Sequence, residues 1–131
     1  MSEMGRRDEM EYRRDKLTAS IIAAIIRVHQ VLGPGFLESI YRNALVLELR
    51  KNRLTVETEK EITIIYSGIE VGRHRLDVLV ACRVILELKA VQELNLTHYA
   101  QLRSYLRATG LRTGLLVNFF KSHADYRRVE F

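Results

Sequence analysis

The sequence has very little of the chemistry that supports secreted, zinc-bound or membrane-spanning proteins. It contains one cysteine, Cys82, one proline and no tryptophan. A single cysteine excludes an internal disulfide and any zinc site built on paired cysteines. The longest aliphatic stretch, at residues 21–26, is far too short to cross a bilayer, and the first fifteen residues lack the apolar centre of a signal peptide. We therefore expect a protein of the reducing cytoplasm that does not enter a membrane.

No internal repeat, low-complexity tract or linker rich in proline or serine divides the chain. Its 131 residues fit a single domain at residues 1–131, with a polar N-terminal arm at about residues 1–15. Apolar residues make up 47% of the chain, which is enough for folding by burial. Lysine and arginine outnumber the acidic residues by 21 to 16, a net charge of +5. Polyanions such as nucleic acids are therefore favoured partners.

Apolar spacing predicts two helices in the first half of the chain. Residues 16–32 carry apolar side chains along one helical face, and the polar arm before them can extend this helix. Gly33-Pro34-Gly35 then interrupts the pattern. A second helix is predicted from near residue 36 to about residue 52, with an inner stripe of Leu37, Ile40, Tyr41, Ala44 and Leu45.

The composition changes after Leu54, where β-branched residues predict extended structure. We expect one strand up to Tyr66, a hairpin turn at Ser67-Gly68, a second strand at residues 69–80 and a third from residue 84 to about residue 90. The second and third strands are apolar on both faces near residues 78–88. This pattern is typical of strands covered by helices on both sides.

The last third of the chain predicts a helix and at least one more strand. Asn95 or Thr97 can cap a helix that runs to Thr109, and Gly110 provides its stop. Residues 113–119 form a short apolar run typical of a buried strand. The tail at residues 121–131 fits either an edge strand or a loosely held arm. Together these elements predict an α/β sandwich with a mixed sheet.

Three polar residues lie on the otherwise apolar central strands. Glu87 and Lys89 are two apart, so they point to the same side of the third strand. A three-residue loop at residues 81–83 would pair Val80 with Val84 and place Asp77 opposite Glu87, on that same face. Two carboxylates so close can hold one hard cation. A two-residue loop would instead send Asp77 to the opposite face and destroy the site.

A glutamate and a lysine two apart on a strand usually form an exposed salt-bridging row. Here, however, the surrounding residues of the third strand are apolar on both faces, so Glu87 and Lys89 are expected to be at least partly buried. Burying charged groups costs several kcal/mol unless they are paired or bound to a metal. A functional site would explain that cost.

The order Asp77, then Glu87-Leu88-Lys89, within this arrangement of helices and strands resembles the PD-(D/E)XK nuclease superfamily. The resemblance implies a restriction-endonuclease-like αβββαβ core, an α/β fold whose mixed β-sheet is flanked by helices on both faces. The segment GFLESIY, at residues 35–41, resembles the signature of the small GxxExxY proteins within that superfamily. The similarity covers roughly residues 21–120. Leu76 stands where many members have proline, a variable position across the superfamily.

In such nucleases the Asp and Glu ligate a divalent cation, Mg²⁺ or Mn²⁺, which polarises the phosphate and activates a water. The resemblance assigns these roles to Asp77 and Glu87, and assigns Lys89 to the attacking water and the transition state. It makes Glu38 either a third carboxylate or a water-mediated contact to the metal, whereas a glutamate in a first helical turn is otherwise simply favoured by the helix dipole. Gln101 matches a helix glutamine near the site in several members.

Histidines and aromatic residues offer weaker signals. His98, Gln101 and Tyr105 are spaced to share a helix face apart from the Leu102 and Leu106 stripe. We interpret His98 as an ordinary surface histidine and Tyr41 as a core residue. Zinc is not expected, since the ligand spacing of a zinc site is absent among His29, His74, His98 and Cys82.

Two functions follow from the sequence. The first is a Mg²⁺-dependent phosphodiesterase acting on DNA or RNA, with basic residues near both termini contacting phosphates: Arg6, Arg7, Arg13, Arg14, Lys121, Arg127 and Arg128. The second is a non-catalytic nucleic-acid-binding or protein-assembly module that retains the nuclease fold. Because so small a chain has no separate recognition domain, we expect a homodimer or a protein partner to help select the target.

Overall fold

A computed structural model describes residues 5–131, without the side chains of residues 7, 8 and 10–14. The elements in chain order are α1 (Arg6–Leu32), α2 (Glu38–Lys51), β1 (Val56–Tyr66), β2 (Ile69–Val80), β3 (Val84–Lys89), α3 (Leu96–Thr109), β4 (Thr113–Asn118) and β5 (Asp125–Glu130). Most of the predicted polar arm is thus the first part of α1. Within the described residues, no helix is long and apolar enough to span a membrane.

The five strands form one sheet in the order β1-β2-β3-β4-β5. Neighbouring strands are antiparallel except β3 and β4, which are parallel and joined by the crossover helix α3. The predicted mixed sheet is therefore confirmed. Of the two alternatives for the tail, the edge strand is the one observed, as β5 pairs with β4 along its full length.

Helices cover both faces of the sheet, as the fold class requires. On one face, α1 and α2 pack on the inward side chains of β3, namely Val84, Leu86 and Leu88. On the other face, α3 packs through Leu102 and Leu106 against a second cluster that includes Ile85. Successive residues of β3 thus enter different clusters, so residues 85, 87 and 89 share the α3 face.

The second helix differs from the prediction at its N-terminus. It begins at Glu38, because Leu37 is the N-cap and has an extended backbone with φ −69° and ψ 153°. Two members of the predicted inner stripe therefore lie outside the core, since Leu37 is 72% exposed and Ile40 is 39% exposed. The buried residues of α2 are Tyr41, Leu45, Val46 and Leu49.

The loop before α2 is held by Tyr41, which is fully buried as predicted. Its hydroxyl donates to the carbonyl of Gly33 at 2.6 Å and accepts from the backbone N–H of Phe36 at 3.2 Å. Gly33 and Gly35 both have positive φ, at 70° and 111°, which a residue with a side chain adopts only at a cost. The glycines and Tyr41 therefore fix where α2 begins, and with it the position of Glu38.

Close packing of α3 on the sheet makes Gly114 intolerant of a side chain. A Cβ at Gly114 would lie 2.9 Å from Cδ1 of Leu102, which is itself fully buried. We expect Gly114→Val to lower the free energy of unfolding by about 1–3 kcal/mol through overpacking. Urea unfolding measures this, with Gly72→Val as the matched control because a Cβ at Gly72 meets nothing within 4 Å. An equal loss of unfolding free energy in Gly114→Val and Gly72→Val would contradict the close packing of Leu102 on Gly114.

Candidate active site

The loop between β2 and β3 has the length that brings Asp77 towards Glu87. Residues 81–83 form a three-residue turn in which the N–H of Arg83 donates to the carbonyl of Val80 at 3.0 Å. Val80 pairs with Val84, and the pairing continues to Val78 and Leu86. The next positions back along both strands are Asp77 and Glu87, as predicted for a loop of this length.

At Asp77 a side-chain hydrogen bond replaces the backbone pairing between β2 and β3. In an uninterrupted register Leu88 would pair with Leu76, but paired residues between β2 and β3 end at Val78 and Leu86. The N–H of Leu88 donates instead to Oδ2 of Asp77 at 3.0 Å. The Asp77 carboxylate is therefore held against the backbone of β3, beside Glu87.

Glu87 is a buried carboxylate with an unsatisfied oxygen. The residue is 6% exposed, and its Oε1 is buried with no hydrogen-bond partner among the described residues. Burial is the main cause that raises its pKa to about 7, and the charge of Asp77 adds to it. The charge of Lys89 and a backbone hydrogen bond from Asp77 lower the pKa, while Glu38 raises it slightly. Such a group gains most from a cation placed at its free oxygen.

Lys89 lies on the α3 face with Glu87 and is half-buried. Among the described residues it forms no ion pair with any carboxylate. Its charge nevertheless acts on its surroundings, because it lowers the pKa of both Glu87 and His74. Its ammonium group is therefore near the carboxylates without being held by one of them.

Glu38 reaches the end of β3 from the opposite layer. It lies in the exposed first turn of α2, where the helix dipole favours a carboxylate, and its Oε1 accepts from the N–H of Ala90 at 3.2 Å. The position of Glu38 is thus compatible both with a contact to a metal near β3 and with simple stabilisation by the helix dipole. Its charge is the smallest of the influences on the pKa of Glu87.

Tyr105 and His74 adjoin the carboxylates. Their rings stack at 4.0 Å, and the Tyr105 hydroxyl lies 3.3 Å from Nδ1 of His74. Burial, followed by the charges of Glu87 and Asp77, raises the pKa of Tyr105 to about 12. Burial lowers the pKa of His74, against the opposing influence of Asp77.

The position of Tyr105 corrects one prediction, and its contact with His74 adds a residue that the sequence did not indicate. Tyr105 is not on a separate helix face, since it is buried together with Leu102 and Leu106. The aromatic ring is wide enough to span from that buried stripe to the polar side chains of β2. No sequence pattern indicates His74 as a neighbour of the site, because the contact that brings it there joins β2 to α3.

The comparison with known families bears directly on this geometry. The family model described as PD-(D/E)XK nuclease superfamily matches residues 15–129. The chain belongs to the PD-(D/E)XK nuclease superfamily. Its mixed sheet with helices on both faces agrees with the restriction-endonuclease-like fold of that superfamily.

A solved structure shows a similar fold. The crystal structure of SSO0001 superposes with a TM-score of 0.57 at 24% sequence identity, over 70% of this chain and 48% of that chain. The chain thus spans about half the length of that protein, and the likeness at this identity shows the fold alone. The search of curated proteins found no match.

Members of the superfamily typically use divalent metals. The carboxylates of Asp77 and Glu87 carry oxygen atoms of the kind that such cations bind. Asp77 and Glu87 are adjacent, and Glu87 has a buried oxygen without a partner. In the part of the chain that the structure describes, no group of three or more histidine, cysteine, aspartate or glutamate side chains could hold a metal ion. A cation at this pair would therefore keep several waters, as Mg²⁺ usually does.

The helix residues predicted from the superfamily differ in their outcome. Gln101 is exposed one turn before Tyr105 on α3, and its nearness to the carboxylates stays a prediction. His98 has a local role, since its Nδ1 accepts from the N–H of Asn95 while Asn95 caps the helix at the N–H of His98. The capping box explains this histidine without any ligand.

Asn118 is a supporting residue that sequence reasoning missed. It is fully buried at the end of β4, where its amide donates to the carbonyl of Val91 at 2.7 Å and its Oδ1 accepts from the N–H of Val91 at 3.0 Å. The N–H of Phe119 also donates to the carbonyl of Lys89 at 2.9 Å. These contacts fix the segment that follows Lys89. A buried asparagine in an apolar run was the available signal.

The basic residues near the C-terminus are engaged within the chain. Arg127 contacts Asp125 at 3.1 Å, and Arg128 lies between Asp15 at 2.8 Å and Glu130 at 2.6 Å. Exposed ion pairs of this kind are weak, so the expected contacts of Arg127 and Arg128 with phosphates stay a prediction. The side chains of Arg7, Arg13 and Arg14 lie outside the described residues, so the corresponding prediction for α1 stays a prediction.

The raised pKa of Glu87 predicts a specific pH dependence of stability. Between pH 4.5 and 7 the folded state keeps a proton that the unfolded chain has lost, so this carboxyl destabilises the fold increasingly as pH rises, and constantly above pH 7. Relative to Glu87→Gln, the wild type should lose about 3 kcal/mol of unfolding free energy between pH 4.5 and pH 8, from a pKa raised from 4.5 to about 7.

Urea unfolding at pH 4.5 and pH 8, without metal, measures this difference. Glu93→Gln is the control, because it removes an exposed carboxylate whose side chain is 80% accessible. If the difference between wild type and Glu87→Gln is the same at both pH values, Glu87 is not the strained carboxyl described above.

Proposed function

We propose that the protein is a metal-dependent phosphodiesterase that uses Mg²⁺ or Mn²⁺ to hydrolyse the backbone of DNA or RNA. The observation that carries this proposal is the buried Glu87 carboxylate, with one oxygen unpartnered among the described residues, beside Asp77 and on the same face as Lys89. Membership of a nuclease superfamily supports the same reaction class.

Asp77 and Glu87 are the residues that would hold the cation. When bound, a divalent cation supplies Lewis-acid polarisation of the phosphate and a water of lowered pKa. Glu38 fits a water-mediated contact better than direct ligation, since its Oε1 already accepts from Ala90 at 3.2 Å. Asp77 likewise uses Oδ2 for Leu88, which fixes the direction of its carboxylate.

Lys89 is proposed to act on the attacking water and on the charge that develops at phosphorus. A half-buried ammonium without an ion-pair partner among the described residues is free to donate hydrogen bonds to both. Its flexible stem lets it follow the reacting oxygen atoms. Gln101, exposed on α3, is proposed to orient the same water or the substrate phosphate.

We further assign the chain to the GxxExxY group of the superfamily. Each of the three motif residues has a distinct structural role, since Gly35 has a positive φ of 111°, Glu38 meets the end of β3, and Tyr41 ties the loop to Gly33 and Phe36. Because these contacts bring one carboxylate to the Lys89–Ala90 end of β3, the motif serves the proposed site. The exposed thiol of Cys82 suits a reducing compartment such as the cytoplasm.

Catalysis predicts that Lys89→Ala cleaves at least about 100-fold more slowly than wild type, because it removes a group that acts mainly in the transition state. The measurement is cleavage of single- and double-stranded DNA and RNA with Mg²⁺, Mn²⁺ or EDTA. Lys51→Ala is the matched control, an exposed lysine at the opposite end of α2 from Glu38.

The same samples should be unfolded in urea. Cleavage by Lys89→Ala at the wild-type rate, in a destabilised protein, would make Lys89 a structural partner of the carboxylates and exclude it from the mechanism. Failure of the wild type to cleave any of the four polymers would contradict the phosphodiesterase.

Nucleic-acid binding is expected to be electrostatic and tolerant of sequence, given the net charge of +5. Affinity should fall steeply with salt, and replacing Arg6, Arg7, Arg13 and Arg14 by glutamine should flatten the dependence. Replacing Arg127 and Arg128 by glutamine should flatten it as well, because their exposed ion pairs are weak enough for a phosphate to replace. Fluorescence anisotropy across a salt series measures the slope, and a slope near zero for wild type would contradict the prediction.

A second function, a non-catalytic assembly module, is favoured by one observation. The far end of the β1–β2 hairpin exposes four large apolar side chains, each at least 57% accessible: Ile65, Tyr66, Ile69 and Val71. Such patches mark interaction surfaces, and a second copy of the chain or another protein would fit it. Sedimentation of wild type and Tyr66→Ser, in parallel with the cleavage assay, separates a self-associating module from an enzyme.

A further inference from the structure

In both strands of the β1–β2 hairpin, the alternation of side chains between the two faces of the sheet is reversed part-way along the strand. Val78 packs with α1 and α2, whereas Leu76, which would share its face in a regular strand, packs with α3. On β1, Val56 packs with α1 and α2, and Ile62, six residues later, packs against the α3 cluster. Each strand therefore reverses its faces once, and the reversal in β2 falls between Leu76 and Val78.

The register of the two strands is unchanged across this reversal. Thr58 pairs with Val78 and Lys60 pairs with Leu76, so Glu59 and Asp77 stand opposite each other as the one unpaired position in this part of the ladder. A bulge in one strand alone would have shifted the register. The two strands turn over together, which keeps the hairpin intact on both sides of Asp77.

Glu59 has the backbone conformation that makes this possible. Its φ is 52°, in the left-handed region that residues with a side chain rarely adopt inside a strand. Glu59 is exposed, so burial of its side chain does not require this conformation. The strained backbone of Glu59 lies directly opposite Asp77, the residue that is unpaired in the ladder and whose carboxylate accepts from the N–H of Leu88.

We propose that Glu59 is a positioning residue for Asp77, acting through its left-handed backbone and not through its carboxylate. With a regular backbone at residue 59, β1 would pair continuously with β2 and hold Asp77 in an ordinary extended geometry. Leu88 would then recover its ladder position opposite Leu76, and Asp77 would lose the hydrogen bond that aims its carboxylate. This inference rests on the proposed function, in which Asp77 is a cation ligand.

Four substitutions separate the backbone from the side chain. Glu59→Gly accepts a positive φ without strain and should preserve the Asp77 geometry. Glu59→Gln removes the charge but keeps the backbone preference of a long side chain. Glu59→Val and Glu59→Thr each introduce a β-branched side chain, which disfavours the left-handed region more than glutamate does, and threonine does so with a polar side chain at this exposed position. Thr58→Val is the control, an exposed neighbour that pairs regularly with Val78.

The readout is the NMR scalar coupling across the hydrogen bond between the amide nitrogen of Leu88 and the side-chain carboxyl carbon of Asp77, measured in the metal-free protein. The wild type should show this coupling, because the N–H of Leu88 donates to Oδ2 of Asp77 at 3.0 Å. In Glu59→Val and Glu59→Thr it should be lost, and a coupling from Leu88 to the backbone carbonyl carbon of Leu76 should replace it. Glu59→Gly, Glu59→Gln and Thr58→Val should keep the wild-type coupling.

An unchanged coupling between Leu88 and Asp77 in both Glu59→Val and Glu59→Thr, or its loss in Glu59→Gln alone, would overturn the inference. Melting temperatures of the same proteins with and without Mn²⁺ test the proposed function separately. A wild type that Mn²⁺ does not stabilise would contradict the cation role of Asp77 while leaving the coupling result valid. Where Mn²⁺ stabilises the wild type and the coupling is lost as expected, the Mn²⁺-dependent shift in melting temperature should be smaller in Glu59→Thr than in Glu59→Gly.

Discussion

A carboxylate buried without a partner for one of its oxygens is the constraint on which the rest of this site depends. Glu87 lies on a central strand beneath a helix, where burial and the neighbouring charge of Asp77 raise its pKa to about 7. Folding alone gains nothing from such a group, and an apolar residue at this position would pack without that cost. Lys89 lowers the pKa of Glu87 but forms no ion pair with it among the described residues. A cation at the free oxygen would convert this unfavourable burial into a binding site.

Local departures from regular structure surround that carboxylate. Asp77 gives up its ladder position to accept from Leu88, Glu59 takes a left-handed backbone opposite it, and Asn118 fixes the segment after Lys89. A regular sheet would be more stable at each of these positions, because strained backbone and buried polar groups both cost free energy. Their clustering around one point of the sheet is typical of a functional site, where geometry is maintained by the surrounding fold.

Much of the fold could be predicted because its signals are local. Helical spacing, the glycine stops and the turn at Ser67-Gly68 depend on neighbouring residues, and the three-residue loop set the register that brings Asp77 to Glu87. The predicted inner stripe of α2 was wrong at Leu37 and Ile40, which fit a helical spacing but lie outside the core that Tyr41 enters. Contacts between distant segments could not be predicted. The stacking of His74 on Tyr105 joins β2 to α3, and the reversal of strand faces at Glu59 has no residue of special backbone preference to indicate it.

The central claim is that Asp77 and Glu87 bind one divalent cation, and calorimetric titration of the metal-free protein with Mn²⁺ at pH 8 tests it most directly. We predict one Mn²⁺ per chain in the wild type and in Glu93→Gln, and binding at least about tenfold weaker in Asp77→Asn and Glu87→Gln, each of which removes a charged oxygen ligand. Equal Mn²⁺ affinity in all four proteins, or no binding by the wild type, would contradict it.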